Sequence, residues 1–566
     1  MPSAVRRCWE HNLTEDILLI LSNKKNTCNM KYKQKGEFNM KKRIIASLLS
    51  GCMILSGAIS VCAENTAQAS EQKEVGWDTS KEDTITLTVI NNFYTAGEKK
   101  LAEDYMELHP ETKVVVDVIS DNDAYVTKMM TSLSGDRADA PDIVHGNFLA
   151  DALSNSSMDV AVDKGYLYDM EEMLDEVNPY NDGKKVREAF DEADIILAKN
   201  TSGGRYQSFL PFDKLAIAFF YNKDIFEEQG LGIPNSYEEL LDTCEKLKDA
   251  GYDVPIAAAG ESSWLLNSLA DNMYRDEEDQ WLVQPGDGLW DEEQMAVNKD
   301  FKFNEDDLQC DQLIVNSTER QAIYATENGV NTPENATVYT EFQKIAKYFP
   351  ENWIQADSTQ LINDFESQIS PMIFNGSWNV GVIISDIAQL PEDMQFDWGS
   401  FLLPDYENAP EGMHTANRSM VALGNSMSII AKDDQDHMNR VKDFYEYWYS
   451  PAQAQTCYEE TLTNGNFVQG PSAIKGVTLA ENLQEKLEGF HSDYASRNFQ
   501  WIDGQSMSTQ SDKPVYYDIV NQFTSGELDV NDFLEQLAPI YENYYKDSID
   551  RAGYDLDPTT IDTAKE

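Results

Sequence analysis

Between residues 84 and 145 the hydrophobic period switches from that of a strand to that of a helix and back, twice over. No other feature restricts the fold as tightly. TITLTVI at 84–90 alternates threonine with aliphatic residues and is rich in β-branched side chains, as a strand is. From Gly97 to His109 the apolar Leu101, Ala102, Tyr105 and Met106 recur at helical spacing, and Pro110 stops the run. TKVVVDVI at 112–119 predicts a second strand, 124–134 a second helix, and Pro141–His145 a short buried strand. A β-α-β-α-β order calls for a parallel sheet with crossover helices. Ligands of such open sheets sit beyond the carboxyl ends of the strands. The segments found there are Asn91-Asn92-Phe93-Tyr94, Asp121-Asn122-Asp123 and Gly146-Asn147-Phe148. They put Asn92, Phe93, Tyr94, Asp121, Asn122, Asn147 and Phe148 in reach of a ligand, although Asn and Asp at such points also serve as helix caps.

The balance of charge excludes one class of partner. Asp and Glu number 99 against 44 Lys and Arg, a formal net charge of −55. The first 43 residues are basic by six, so everything after them carries −61. Such a surface repels phosphate backbones and anionic headgroups and favours solubility, so nucleic acid is not an expected partner. Of seven cysteines, Cys8, Cys28, Cys52 and Cys62 lie before, within or just after an apolar run at 44–61. Cys244, Cys310 and Cys457 remain, enough for one disulfide at most. CxxC pairs, HExxH and D-x-D-x-D-G loops are all missing, so neither a metal nor a cofactor is expected.

Met40-Lys41-Lys42-Arg43 followed by IIASLLSGCMILSGAISV reads as a secretory signal, with a retained membrane anchor as the alternative. Two sites of roughly A-x-A type follow, Val61-Cys62-Ala63 and Ala67-Gln68-Ala69. A signal normally starts at the terminus, so Met40 is read as the true start and 1–39 as a misassigned upstream extension or a cytoplasmic one. Leu49-Ser50-Gly51-Cys52 matches a bacterial lipobox, which would lipidate Cys52. Only six residues separate Arg43 from Ser50 and another apolar stretch follows Cys52, so lipidation and simple cleavage both stay open. Secretion, extracellular or at the cell surface, is the expectation in either case.

From Gly204 the chain reads GRYQSFLPFDKLAIAFFYNKDIFEEQGLGIPNSYEELLDTCEKLKDAG. Gly204, Tyr206 and Pro211, the Tyr221–Phe226 turn and the Pro234–Leu240 helix start resemble extracellular solute-binding protein family 1, which serves sugar-type ABC importers and includes relatives of the maltose-binding protein. Ser370-Pro-Met-Ile-Phe-Asn-Gly-Ser-Trp378-Asn-Val-Gly381 resembles that family's strand-turn-helix around Gly-Ser-Trp. Trp448-Tyr-Ser-Pro-Ala-Gln-Ala-Gln455 and Gly465-Asn466 resemble its next helix start and loop. Three segments in order, within a likeness from about 84 to 545, make the signal specific. The Pro expected just after Gly-Asn comes late, at Pro471, and the acidic stretch 275–331 matches nothing in the family.

The resemblance implies a type-II periplasmic-binding-protein fold: two α/β lobes, a multi-segment hinge, and a ligand cleft between them. Residues 70–83 are then a flexible leader after the 40–69 signal. One lobe takes 84–210 and 415–450; the other takes 211–402 and 453–548, with 275–331 inserted, and 549–566 is a tail. Crossings are expected near Leu210–Leu215, Leu402–Thr415 and Tyr449–Ala452. The partners implied are a carbohydrate and the transmembrane subunits of an ABC permease, with the chain a monomer.

A sugar has C–H faces that aromatic rings cover, and hydroxyls that amides and carboxylates must satisfy. Trp378 occupies the position of the family's stacking tryptophan, and Trp264 in Gly260-Glu-Ser-Ser-Trp264 follows a short strand at Pro255–Ala259. Asp213 at the first crossing suits a sugar hydroxyl or a hinge salt bridge with Lys214. Asn466, Trp501 and Tyr125 are weaker candidates, and Trp448 and Trp398 read as core. Rival readings are the same fold holding a peptide, polyamine or metal ion, or feeding a sensor. A secreted glycoside hydrolase, needing two carboxylates about 5–10 Å apart, is a further one. No nucleophile elbow or phosphate loop is present to support an enzyme.

Overall fold

The computed structural model describes residues 75–552, apart from 91–92, 120–121, 134–136, 138–139, 147–148, 150–157, 203, 289, 293–294, 357, 491–494 and 498–511. TITLTVI becomes β1 (Asp83–Ile90), with Ile85, Leu87 and Val89 all fully buried. Next come α1 (Thr95–Leu108), β2 (Thr112–Ile119), α2 (Asn122–Leu133) and β3 (Ile143–His145). β1 lies between the other two strands and parallel to both, in register Asp83↔Thr112 and Leu87↔Ile143. The alternating order thus forms the parallel sheet that its crossover helices require.

Farther on, α3 (Glu192–Ser202) precedes β4 (Asp213–Asn222), the spine of a second sheet. Asn222 ends β4 and caps the next helix, its Oδ1 accepting the Ile225 N–H at 3.0 Å. Ser236 does the same for α4 (Tyr237–Asp249), accepting from the Glu239 N–H at 3.1 Å; a Ser or Asn cap of this kind contributes about 1 kcal/mol. Then follow β5 (Ile256–Ala257), α5 (Leu265–Tyr274), α6 (Thr318–Asn328), α7 (Pro333–Ala346), β6 (Met372–Gly376), α8 (Val380–Gln389) and β7 (Trp398–Phe401). β8 (Val421–Gly424) pairs with the first half of β4, and β9 (Met427–Ile429) returns to lie antiparallel to β3. The sheet orders are β2-β1-β3-β9 and β5-β6-β4-β7, with β8 on β4.

The pairing locates the passages between the sheets. Asp213–Ala216 of β4 is one, overlapping the expected Leu210–Leu215. The second is the β8–β9 strand, in register Asp213↔Gly424. A third strand runs alongside: Lys214 N–H donates to Pro471 O at 2.9 Å and Ala473 N–H to Phe212 O at 3.0 Å. Residues 402–415 stay with the second sheet's helices instead, where Tyr237 N–H donates to Asp405 O and the Asn272 amide to His414 O.

α9 (Gln435–Trp448) shows why its sequence folds as it does. Asp434 caps it through the Asp436 N–H at 3.0 Å, Val441, Phe444, Tyr445 and Trp448 bury one face, and Pro451 opens the next helix. That next helix, α10 (Pro451–Thr463), lies along α1. Gly97 permits the approach, since a Cβ there would stand 2.2 Å from the Cys457 carbonyl oxygen. Residues 451–463, which sequence order groups with 453–548, therefore pack in the first sheet's layer. Trp448 and Trp398 are core, as their surroundings imply. α11 (Lys513–Thr524) and α12 (Val530–Ala552) pack against each other, and α12 against α6 and α7, on the second sheet's side.

Residues 75–82, read above as part of a flexible leader, are docked. Trp77 is buried and donates to Glu111 Oε1 at 2.9 Å, while the Arg440 guanidinium binds the carbonyls of Asp78 and Lys81 at 2.8 and 3.0 Å. A single tryptophan on a polar stretch supplies the burial that composition averages away. Among the described residues no helix is long and apolar enough to cross a membrane.

Candidate ligand cleft

β5 and β6 are parallel neighbours, Ile256 beside Met372, and each leads from its carboxyl end into a 3-10 turn, Gly260–Trp264 and Ser377–Asn379. Two turns at one level of one sheet bring their tryptophans together. Trp264 and Trp378 meet edge to face, ring centroids 5.7 Å apart at 76°, a geometry contributing about 0.5–1.5 kcal/mol beyond area burial. Both rings are half-buried. Gly376 lets the Trp378 indole fold back over the strand end, because a Cβ there would lie 1.9 Å from the ring. Ser377 fixes the turn: its hydroxyl donates to Gln469 O at 2.8 Å and accepts the Ala216 N–H at 3.3 Å.

One turn along α5 from Trp264 stands Asn267, buried, with its amide Nδ2 3.9 Å from the sulfur of half-buried Met420. Its carbonyl Oδ1 has no protein partner. Sequence reasoning missed Asn267, and its spacing of three from Trp264 was the available signal.

On the first sheet's side Phe93 is half-buried and bridges to Phe467. Tyr94, just past β1, is buried in the left-handed region at φ 54°, a conformation costing a non-glycine residue on the order of 1 kcal/mol or more. Its hydroxyl donates to the Asp213 carboxylate and accepts the Gln469 N–H at 3.2 Å, with the Tyr458 hydroxyl 3.3 Å away. Asp213 is fully enclosed. Burial pushes its pKa up to about 7, against the bond from Tyr94, which lowers it. Lys214 does not pair with it; that ammonium reaches Asp194 at 2.7 Å. Asp213 therefore joins the strands of the crossing, and a sugar hydroxyl would have to displace Tyr94 to reach its Oδ2.

Asn466 caps α1, its Oδ1 accepting the Ala96 N–H at 3.0 Å. Tyr125 is buried and donates to His145 O at 3.4 Å. Asn122 begins α2, but its side chain, together with Asn92, Asp121, Asn147, Phe148, Trp501 and Cys52, lies outside the described residues. Cys244, Cys310 and Cys457 are free thiols. Among the described residues no three His, Cys, Asp or Glu side chains gather as a metal site would need.

A groove of about 780 Å³ lies elsewhere, at the amino-terminal end of the first sheet. His437 there bonds Asp83 and Asp142, one through each ring nitrogen at 2.8 Å. Asp142 there is also held by Lys432, and the groove lies at the opposite end of its strands from the carboxyl ends, where ligands of open sheets sit, so the tryptophan pair is the better ligand wall.

Residues 94–455 match the family model described as bacterial extracellular solute-binding protein. A multiple sugar-binding protein of Streptococcus mutans serotype c is 24% identical over 465 residues, covering 80% of this chain and 88% of that protein. Among solved structures, the raffinose complex of the binding protein RafE is 19% identical with a TM-score of 0.50, covering 81% of this chain and all of that one. A chitin oligosaccharide binding protein is 16% identical with a TM-score of 0.52, covering 82% of this chain and all of that one. Likeness at this level establishes the two-lobed fold.

Proposed function

This chain belongs to the bacterial extracellular solute-binding proteins, and from that membership we propose that it captures an oligosaccharide outside the cell and delivers it to the permease of an ABC importer. The observation that carries the sugar reading is the Trp264–Trp378 pair, two half-buried indoles at the carboxyl ends of adjacent strands. An indole covers a sugar's C–H face, and the adjoining Asn267 supplies an amide carbonyl for a hydroxyl. The sugar-binding relatives support the same class. In this reading the lobes are 83–210 with 427–463, and 217–420 with 513–552, and the ligand lies between them. The family implies export; the 40–69 segment is the signal, the chain works as a monomer, and it has no hydrolytic activity.

A thermal-shift panel of raffinose, chitin, xylan and α-glucan oligosaccharides tests this. A ligand at about 100 times its Kd adds ~2.7 kcal/mol to folded-state stability, a clear rise in Tm. If peptides or amino acids raise Tm and no sugar does, the carbohydrate reading fails. Cleavage of a bound oligosaccharide on prolonged incubation would move the chain to the hydrolases.

A further inference from the structure

The described residues of 282–317 form a body of their own beside α5. Val283, Met295 and Val315 are buried together, with Trp290 packed against them. The Asn298 amide ties the loop, donating to Val283 O at 2.8 Å and Val315 O at 3.0 Å and accepting the Val315 N–H at 3.0 Å. Arg320 on α6 holds Asp287 bidentately, at 3.0 and 2.6 Å. Arg418, fully enclosed just before β8, binds Asp271 of α5 at 2.9 Å and Asp311 of the loop at 2.8 Å. A bidentate pair and an enclosed cation between two carboxylates fix the loop rigidly to the second lobe.

That body also touches the first lobe. At the end of α3 the Asn200 amide donates to Ile314 O at 3.4 Å. Two residues past the helix, buried Gly204 lies at φ +96°, and a Cβ on it would stand 2.9 Å from Val315 Cγ1 and 3.3 Å from Met295 Cε. Bare backbone at Gly204 thus nests under Val315 and Met295. The segment after α3 belongs to the first lobe: the Arg205 and Tyr206 N–H groups bond Asp159, and the Gln207 N–H bonds Asp169. The contact sits beside the crossing, where Ala198 of α3 packs with Leu423 of β8, but no crossing strand takes part in it, so a hinge rotation that moves α3 away from 282–317 breaks it.

We propose that residues 282–317 are an interlobe latch, in which Val315 and Met295 over Gly204 and Ile314 on Asn200 hold the closed arrangement before any ligand arrives. The inference rests on the two-lobed reading and not on the identity of the solute. A contact this small shifts the open–closed balance without locking it, and it tightens apparent affinity by raising the fraction of binding-competent molecules.

Small-angle X-ray scattering of the ligand-free full chain tests the latch, with amide hydrogen exchange read over 283–315. Asn200→Arg forces a long cation into the contact and leaves the buried apolar residues unchanged; Val315→Ala removes the methyls over Gly204. Each variant is expected to raise the radius of gyration, by on the order of 1 Å from a value near ~23 Å for a domain of this size, and the double variant further. Exchange at 314–315 should rise while α5 and α7 stay protected. An unchanged radius in the double variant overturns the latch. If Val315→Ala fails to fold, Asn200→Arg alone decides. No sugar enters either measurement, so a chain that binds no oligosaccharide leaves this result intact.

Discussion

Truncating Trp378 to alanine separates a ligand wall from a core filler. The indole is half-buried, with one edge on Trp264, so a sugar lying on its open face would cover roughly 70 Å² of apolar surface, or ~1.8 kcal/mol at about 25 cal/mol per Å². The directional part of the contact adds about 0.5–1.5 kcal/mol. The sum, about 2.3–3.3 kcal/mol, corresponds to a Kd raised roughly 50- to 250-fold. Titration calorimetry with the oligosaccharide that gives the largest thermal shift reads this directly. Gly376→Ala is the companion variant. It keeps the indole, but its new methyl would stand 1.9 Å from the ring, so the ring must move. Its Kd should rise too, with an overpacking cost of about 1–3 kcal/mol in stability. The reasoning is refuted if Trp378→Ala lowers Tm yet leaves Kd within about twofold of the parent, for then the ring packs and does not bind.

Three further outcomes follow from buried charge. Arg418→Ala strands Asp271 and Asp311 in a closed site, and unfolding by denaturant should register a loss of about 3–5 kcal/mol, whereas replacing all three residues by apolar ones should lose less. His437, whose bonds to Asp142 and Asp83 hold its pKa above the ordinary value, stabilises the fold fully below the unfolded value and loses that contribution as pH rises through the folded one; Tm against pH should fall there in the parent and stay flatter in His437→Gln. Glu98 is enclosed at the start of α1, and burial pushes its pKa up to about 8. A raised carboxyl costs stability as pH climbs from its unfolded value to its folded one, so Glu98→Gln should be more stable than the parent near pH 8, by up to a few kcal/mol, with the gain gone near pH 4. Denaturation curves at the two pH values check it.

What the sequence made legible is what local chemistry decides. Strands 84–90 and 112–119 were readable because β-branched residues dominate both runs, and β1 differs from its predicted span by one residue. The strand-turn-helix around Trp378 was readable from its resemblance to the family's Gly-Ser-Trp segment, and the turn formed. Each failure has a partner far away in the chain. Asp213 was read as open to a hydroxyl or to Lys214, but the group that meets it is Tyr94, 119 residues earlier, and no local pattern announces that bond. Asn466 has the amide a sugar site needs, yet the unfilled N–H groups at the start of α1 claim it. Residues 451–463 were visible as a helix from their Pro start, but their layer depends on Gly97, whose missing side chain matters only once Cys457 is brought against it. The same rule covers 275–331: it stood out because it matched nothing in the family, while its contact with the other lobe rests on a glycine at 204 and a valine at 315. A position that works by leaving room for a distant neighbour carries no periodicity and no charge, so such residues stay silent in a single sequence until the fold is known.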